Sequence, residues 1–283
     1  MRDDDRPHVL ILGGFLTEPF MYRALRGRLL VRDAASVTIG PIHIADWLAA
    51  GMAGLGPLLV RSGLAVRRTH RLTGRRPLLV VGHSGGGLLA RLALSPVPYD
   101  GRVAAVADAV GCLVTLGTPH GMAAAPVTFH HPGVTAAAFL DRVAATTPPD
   151  PGTAIVTVGS VGVHALAWDR ASWRDRLRNA PYRLVVGAVG ERGGDGIVGV
   201  DQAHLPGAHQ VTLPDATHGT FGARWYGDEA NIDDWWPVAV DHWRQARAVR
   251  AARATAMLDG AASARRDASA VPAGRSDLEI SPK

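Results

Sequence analysis

The chain contains a serine, an aspartate and a histidine that could work together in catalysis. Each lies beside a glycine, in a segment suited to a sharp turn. Ser84 lies in Gly82-His83-Ser84-Gly85-Gly86, between an apolar run and a helix-forming run. This G-x-S-x-G pattern is typical of a strand that turns sharply into a helix, with the serine in a strained conformation that glycine neighbours permit. A serine hydroxyl needs an adjacent base, and that base needs an orienting group, before it acts as a nucleophile. Ser84 is therefore the candidate nucleophile.

The carboxylate that would orient the base is expected after a later strand. Folds with this serine turn carry the acid and then the histidine in later loops, each at the carboxyl end of a strand. A strand predicted over Tyr182–Val189 is followed by Glu191, Asp195 and Asp201. Asp195 is favoured because the glycines of Gly193-Gly194-Asp195-Gly196 let its carboxylate point back over the sheet, although such aspartates are commonly only turn formers. Glu191 and Asp201 remain the alternatives.

Twelve histidines compete for the role of the base. His218 is favoured because it follows the last predicted strand, His209–Leu213, in the expected chain order. His120, His130 and His131 could be imagined as metal ligands, but neither an H-E-x-x-H pattern nor a cysteine pair accompanies them. The sequence therefore predicts His218 as the base and predicts no catalytic metal.

Two glycine clusters could supply backbone N–H groups to a developing negative charge. Acyl transfer to a serine needs two such donors, one after the nucleophile and one in the loop after an early strand. Gly85 follows Ser84, and Phe15 follows Gly13-Gly14 at the end of the first predicted strand. We predict that Phe15 and Gly85 form an oxyanion hole. No G-K-[ST] follows either cluster, which disfavours a nucleoside triphosphate site.

The elements that must position these residues alternate between apolar strands and helices. Strands are predicted over His8–Leu12, Ser36–Gly40, Leu78–Val81, Gly111–Leu116, Tyr182–Val189 and His209–Leu213, with Ala154–Val158 as a further candidate. Helices are predicted over Thr17–Leu30, from near Trp47, and over Leu58–Leu72, Leu88–Leu94, Val134–Ala145 and Ile232–Leu258. Because crossovers of this length pair strands in parallel, we predict an α/β fold with a mostly parallel central sheet flanked by helices, in one domain over 1–258.

The segment 122–180 interrupts this alternation with prolines, paired histidines and tryptophans. Because α/β folds bind ligands at the carboxyl edge of the sheet, we interpret the segment, apart from the candidate strand Ala154–Val158, as an insertion that covers this edge as a cap or lid. We predict substrate contacts from Leu16, His83, Phe129 and Trp168. Aromatic residues in an insertion are as often its own small core.

Composition excludes several other classes of protein. Of the 283 residues, 47% are hydrophobic and 19% are charged, and no window approaches the roughly 18 consecutive apolar residues of a membrane span. The acidic start, residues 1–6, does not have the basic and then apolar pattern of a secretory signal. The single cysteine, Cys112, allows no intramolecular disulfide. We therefore expect a cytoplasmic protein without an integral membrane segment.

The net charge of +5 comes mainly from the carboxyl end of the chain. Residues 244–283 contribute +4 of it, so we expect no nucleic-acid partner for the nearly neutral body. The arginines of this end recur at helical spacing and predict a solvated helix face. Beyond Asp259 the chain is rich in alanine, serine and proline with few large apolar groups, which predicts a disordered tail over 259–283.

Six segments carry a resemblance to a known family. They are Ile11-Leu12-Gly13-Gly14-Phe15, Gly82-His83-Ser84-Gly85-Gly86, Leu116-Gly117-Thr118-Pro119-His120-Gly121, Gly194-Asp195-Gly196-Ile197-Val198 with Leu205-Pro206-Gly207-Ala208, and His218-Gly219. With them the chain resembles the serine α/β-hydrolases, and specifically the lipase and GPI inositol-deacylase-like esterases, over about three quarters of its length. The G-T-P-H-G and G-D-G-x-V segments are the more specific ones, since G-x-S-x-G is shared across the superfamily. Many relatives have His-Gly where this chain has Gly13-Gly14, and the membrane spans of the eukaryotic deacylases do not occur in this sequence.

The resemblance implies hydrolysis of small-molecule or lipid-like carboxylic esters through an acyl-enzyme, with no cofactor. In this interpretation Ser84 attacks, His218 carries the proton and Asp195 orients the imidazolium. Acyl transfer, thioester hydrolysis and amide hydrolysis use the same three residues and remain open, as does a non-catalytic binding protein with this fold. The sequence does not indicate the acyl length or the oligomeric state.

Overall fold

The computed structural model describes residues 5–121, 132–146, 150–163, 193–220 and 224–269. The strands of this part are β1 (His8–Leu12), β2 (Ser36–Ile39), β3 (Leu78–His83), β4 (Val110–Leu116), β5 (Ala154–Ser160) and β6 (His209–Leu213). The helices are α1 (Arg23–Val31), α2 (Ile44–Ala53), α3 (Gly56–Leu72), α4 (Gly85–Leu94), α5 (Pro132–Thr146), α6 (Val200–Ala203) and α7 (Glu229–Ser269). Short 3-10 helices cover Pro19–Tyr22 and Ala107–Ala109.

The six described strands form one parallel sheet in the order β2-β1-β3-β4-β5-β6. The residues of β3 and β4 are buried throughout, as expected for central parallel strands covered on both faces. In the register of the sheet, Leu12 lies opposite Gly82, and His83 lies opposite Leu116. The carboxyl ends of β1, β3 and β4 therefore meet at one edge, and the loops that follow them are neighbours there.

Alternate residues of each strand enter two separate hydrophobic clusters, one on each face of the sheet. Leu10 and Val80 belong to the cluster that also contains buried residues of α2, α3, α4 and α5. Val9 and Val81 point to the opposite face and belong to the cluster that contains residues of α1 and α7. The period of two along each strand thus places a helical layer on both faces. No helix in the described part of the chain is long and apolar enough to cross a membrane.

The candidate strand Ala154–Val158 is present as β5, a full member of the sheet. The predicted insertion over 122–180 needs a correction at α5, which buries Ala136, Ala137 and Leu140 in the same cluster as α4 and so belongs to the body of the fold. Small apolar residues at this helical spacing let α5 pack against its neighbours. The rest of the predicted insertion lies mostly outside the described residues, and its role as a cap or lid stays a prediction.

The strand predicted over Tyr182–Val189 also lies outside the described residues. In the sheet, β6 is hydrogen-bonded directly to β5. Among the described residues, the strand that precedes Asp195 is therefore β5.

The chain divides into two compact units, residues 1–247 and 248–283. In the first unit, α7 buries Trp235 and Trp243, and the indole N–H of Trp243 donates to the carbonyl oxygen of Pro77 at 2.8 Å. In the second unit the helix continues to Ser269. The prediction of disorder is therefore wrong for 259–269, where the high helix propensity of alanine outweighs the lack of large apolar groups. Residues 270–283 lie outside the described part.

Candidate active site

Ser84 occupies the sharp turn between β3 and α4. Its backbone angles, φ 52° and ψ −127°, lie in a region that non-glycine residues rarely adopt. The turn closes only because its glycines lack a side chain. A Cβ on Gly82 would lie 2.5 Å from the Cα of Gly87, and a Cβ on Gly86 would lie 2.2 Å from the carbonyl oxygen of Leu12. The G-x-S-x-G pattern is thus a steric requirement of this turn.

The three side chains singled out from the sequence lie in one hydrogen-bonded line. His218 Nε2 lies 2.9 Å from Ser84 Oγ, and His218 Nδ1 lies 2.8 Å from Asp195 Oδ2. Asp195 and His218 are both buried, whereas Ser84 is partly exposed. With Nδ1–H donated to the carboxylate, Nε2 keeps its lone pair toward the serine hydroxyl. The arrangement can therefore take the proton of Ser84 as this oxygen attacks an electrophile.

The carboxylate of Asp195 accepts hydrogen bonds on both oxygens. Oδ1 accepts from the backbone N–H groups of Ile197 and Val198 at 2.9 and 2.7 Å. Oδ2 accepts from His218 and from the hydroxyl of Tyr226, the latter also at 2.8 Å. Burial alone would raise the pKa of Asp195, but His218 and the backbone donors outweigh burial and hold the pKa below its usual value. Asp195 therefore stays ionised inside the protein.

Glycine and backbone pairing shape the loop that carries this acid. Gly193 and Gly196 adopt φ values of 83° and 100°, and Gly194 forms β-bridges with Val163 and Gly199. Such turns need glycine, because other residues are strained at these angles. The backbone N–H of His218 also donates to the carbonyl oxygen of Asp195 at 2.9 Å, which ties the two loops together.

Of the two alternative acids, only Asp201 lies in the described part of the chain, and it is not hydrogen-bonded to His218. Asp201 is exposed on the short helix α6, and Glu191 lies outside the described residues. Asp195 is the acid that contacts the histidine.

The G-T-P-H-G segment after β4 packs between the turn that carries Ser84 and the side chain of Asp195. A Cβ on Gly117 would lie 2.6 Å from Asp195 Oδ2 and 2.8 Å from the ring of Tyr226. Thr118 Oγ1 donates to the carbonyl oxygen of Ser84 at 2.9 Å, and the Ser84 N–H donates to the carbonyl oxygen of Leu116 at the same distance. This segment therefore fixes the serine turn and leaves room for the acid.

His120, in the same segment, is held by protein groups on both ring nitrogens. Arg91 Nη1 donates to Nδ1 at 3.1 Å, and Nε2 lies 3.0 Å from Thr115 Oγ1. Burial and the charge of Arg91 lower the pKa of His120 well below its usual value, so the ring is neutral. Within the described ranges, no three His, Cys, Asp or Glu side chains are grouped so that they could hold a metal ion. His130 and His131 lie outside those ranges.

The prediction that His83 contacts substrate needs a correction. His83 is buried, its Nε2 lies 3.0 Å from the carbonyl oxygen of His218, and its Nδ1 lies 2.9 Å from the Tyr22 hydroxyl. Burial, with a smaller effect from His218, lowers the pKa of His83 to about 3. With both ring nitrogens engaged by protein groups, this buried and neutral side chain connects the Tyr22 hydroxyl with the loop of His218.

The loop after β1 lies directly against the serine. A Cβ on Gly14 would lie 2.7 Å from Ser84 Cβ, which only glycine avoids. Phe15 and Leu16 follow with exposed side chains, and Leu16 has φ 57°. The buried indole of Trp47 packs edge-on against Phe15, with 6.0 Å between ring centroids.

The same indole also lies against the turn residue after the serine. A Cβ on Gly85 would lie 2.8 Å from the ring of Trp47. Trp47 therefore bridges the two residues that we predict as oxyanion donors. The predicted substrate contacts Phe129 and Trp168 lie outside the described residues.

The sequence did not reveal Tyr22, Tyr226 or Trp47 as neighbours of the site. Each lies in a segment whose local pattern is that of an ordinary buried aromatic residue. A motif search around the nucleophile could not find them, because their contacts depend on how distant loops meet.

Comparison with known proteins identifies the fold. No family model matches the sequence, and no similar sequence is found among curated proteins. The mature form of the lipase BlEst2 from Bacillus licheniformis superimposes with a TM-score of 0.58 at 15% identity, over 83% of this chain and 92% of that chain. Its propeptide form gives a TM-score of 0.59 at 14% identity, over 83% of this chain and half of that one. The chain has the α/β-hydrolase fold. In this α/β-hydrolase fold the candidate nucleophile, acid and histidine all lie in loops at the carboxyl edge of the sheet.

Proposed function

We propose that the chain is a serine hydrolase that cleaves carboxylic esters through an acyl-enzyme on Ser84. The observation that carries this proposal is the line of hydrogen bonds from Asp195 through His218 to Ser84, with distances of 2.8 and 2.9 Å. The strained turn that presents Ser84 and the ionised, buried acid behind His218 both support it.

In the first half of the reaction, Ser84 Oγ forms a bond to the ester carbonyl carbon while its proton moves to His218 Nε2. The carbonyl oxygen becomes an oxyanion, which in this proposal accepts hydrogen bonds from the N–H groups of Phe15 and Gly85. The first N–H groups of a helix have no intrahelical acceptor, and Gly85 is the first residue of α4. The tetrahedral adduct collapses, and the alcohol leaves with the proton from His218.

In the second half, water attacks the acyl-enzyme and gives its proton to His218 Nε2. The proton then returns to Ser84 Oγ as the carboxylic acid leaves, so the enzyme is restored without a cofactor. Asp195 remains ionised through the cycle and pairs with the imidazolium each time it forms.

The finer proposal is a lipase or GPI inositol-deacylase-like esterase that acts on lipid-like esters. It rests on the G-T-P-H-G and G-D-G-x-V segments and on apolar groups beside the serine. Phe15 and Leu16 are 43% and 48% exposed, and Trp47 lies against Gly85. The solved structure compared above is that of a lipase. An apolar acyl chain would cover these side chains.

Labelling and turnover together test this function. We expect a fluorophosphonate probe to label Ser84, and the wild-type chain to hydrolyse p-nitrophenyl esters. Ser84→Ala should abolish both, because the nucleophile is lost. A panel of esters, thioesters and amides, with alcohol acceptors added, separates ester hydrolysis from the other uses of the triad. A series of acyl lengths reports the depth of the pocket. A folded wild-type chain that is neither labelled nor active would instead support a binding protein.

A further inference from the structure

We propose that Thr17 and Tyr22 form a clamp that positions the Gly14–Phe15 peptide as part of the oxyanion hole and couples it to the loop of His218. This inference rests on the proposed function and extends it to two positioning residues that do not themselves touch the substrate. We call this pair the clamp.

The first part of the clamp holds the backbone of Gly14 at both ends. The N–H of Gly14 donates to the Tyr22 hydroxyl oxygen at 3.1 Å. The carbonyl oxygen of Gly14 accepts from Thr17 Oγ1 at 2.7 Å and from the Thr17 backbone N–H at 3.3 Å. The polar groups of Gly14 are thus engaged, and its own N–H is not the donor that meets the oxyanion.

Peptide geometry carries this restraint to Phe15. In a trans peptide the C=O of one residue and the N–H of the next point in opposite directions. Because Thr17 fixes where the Gly14 carbonyl points, it also fixes the direction of the Phe15 N–H. The Gly14 backbone is itself packed against the Cβ of Ser84. The clamp therefore sets one oxyanion donor relative to the nucleophile.

The second part of the clamp runs from Tyr22 to the histidine loop. The carbonyl oxygen of His218 can only accept, so His83 Nε2 carries the hydrogen and donates to it across 3.0 Å. Since burial keeps His83 neutral, its Nδ1 has a free lone pair. That lone pair faces the Tyr22 hydroxyl at 2.9 Å.

The single proton of the Tyr22 hydroxyl has two acceptors, His83 Nδ1 at 2.9 Å and Thr17 Oγ1 at 3.1 Å. Tyr22 is 1% exposed, and burial raises its pKa to about 12, so it keeps this proton at every working pH. A continuous chain of hydrogen bonds thus runs from Gly14 through Tyr22 and His83 to the backbone of His218. It ties the oxyanion loop to the base.

The test uses Tyr22→Phe and Thr17→Val in the full chain, with Tyr99→Phe as the matched control. Tyr99 is a buried tyrosine that packs on Phe139 and has no part in this network. Removing one oxyanion donor outright costs about 100- to 1,000-fold in kcat, so a misplaced donor should cost about 10- to 100-fold. We expect that loss in kcat for both clamp variants, with KM within about threefold, and no loss for Tyr99→Phe.

A trifluoromethyl ketone, which forms a tetrahedral oxyanion on Ser84, distinguishes positioning from a general loss of structure. Its affinity should fall by the same factor as kcat/KM. Wild-type kcat in both clamp variants, or a ketone affinity that is unchanged while activity falls, overturns the clamp.

A second measurement does not depend on activity. In ¹⁵N spectra of the His83 ring, the wild type should show one neutral tautomer with hydrogen on Nε2, and the Nδ1 resonance should shift in Tyr22→Phe. If the wild type has no esterase activity but this shift is present, the proposed function fails and the hydrogen-bond chain stands. An Nδ1 resonance that is the same in Tyr22→Phe and the wild type refutes the chain itself.

Discussion

The hydroxyl of Tyr226 donates to the same carboxylate oxygen of Asp195 that accepts from His218, and its removal gives a defined change in stability. The change is Tyr226→Phe, which deletes one donor and leaves the ring in place. Asp195 is 2% exposed, so no water can readily replace the lost donor. A hydrogen bond to a charged group contributes about 1.5–3 kcal/mol, and we expect the free energy of unfolding at pH 7 to fall by about that amount.

The pH dependence of this loss follows from the depressed pKa of Asp195. An acid whose folded-state pKa lies below its unfolded value of 3.8 stabilises the fold above that value and loses this contribution as the pH falls through the folded pKa. Tyr226→Phe removes a donor to the charged form, so its folded pKa rises toward the unfolded value. The deficit of the variant should therefore be full at pH 7 and shrink below pH 3.8.

Urea unfolding of the wild type and the variant at pH 7 and pH 3.5 measures both quantities. A double-mutant cycle with Asp195→Asn isolates the charge, because Tyr226→Phe should cost only about 0.5–1.5 kcal/mol when the acceptor is neutral. Tyr99→Phe serves again as the buried tyrosine control. A deficit of the same size at both pH values and in both backgrounds would show that the Tyr226 hydroxyl does not stabilise the charge of Asp195, which would refute this prediction.

Two further predictions test the acid and the packing of the serine turn. Asp195→Asn should lower kcat by about 10,000-fold, as for loss of a triad acid, whereas Asp201→Asn should leave kcat within about twofold; the opposite ranking in ester hydrolysis would make Asp201 the acid. Gly87→Ala places a Cβ 2.0 Å from Thr118 Oγ1 and should cost about 1–3 kcal/mol in urea unfolding. Gly27→Ala, where nothing lies within 4 Å in α1, should instead add about 0.5–1 kcal/mol, and equal effects would contradict the steric argument.

The strands could be predicted from the sequence because their signal is local. β1 and β4 are apolar runs, β6 lies between turn residues, and the structure has all three within one residue of the predicted bounds. The fold class is also confirmed. It could be predicted because connections of this length between strands favour parallel pairing. The candidate strand Ala154–Val158 is present as β5. The extent of the insertion was wrong where α5 joins the core, because a short helical pattern does not show which surface the helix packs against.

The parts of the candidate site that depend on glycine turns and on chain order could be predicted from the sequence. Ser84 and the loops of Asp195 and His218 follow from glycine positions and chain order, and the structure brings the three side chains together. The partners of His83 could not be predicted. Tyr22 is 61 residues away in the chain and the His218 carbonyl is 135 residues away, so the hydrogen bonds exist only once the sheet has aligned three loops.

The glycines and the buried hydrogen bonds of the candidate site contribute differently to its structure: the glycines allow close approach, and the hydrogen bonds set orientation. Gly14, Gly82 and Gly117 let the backbone and the carboxylate of Asp195 lie in close contact with their neighbours, but a glycine exerts no preference for one conformation. Two buried tyrosines supply the preferred direction: the Tyr22 hydroxyl accepts from the N–H of Gly14 in the loop after β1, and the Tyr226 hydroxyl donates to Asp195. Both tyrosines are fully buried, and a small rotation of either loop would break one of these two hydrogen bonds, the one that the Tyr22 hydroxyl accepts or the one that the Tyr226 hydroxyl donates. Close approach at glycine makes this site possible, and the two tyrosines make it rigid.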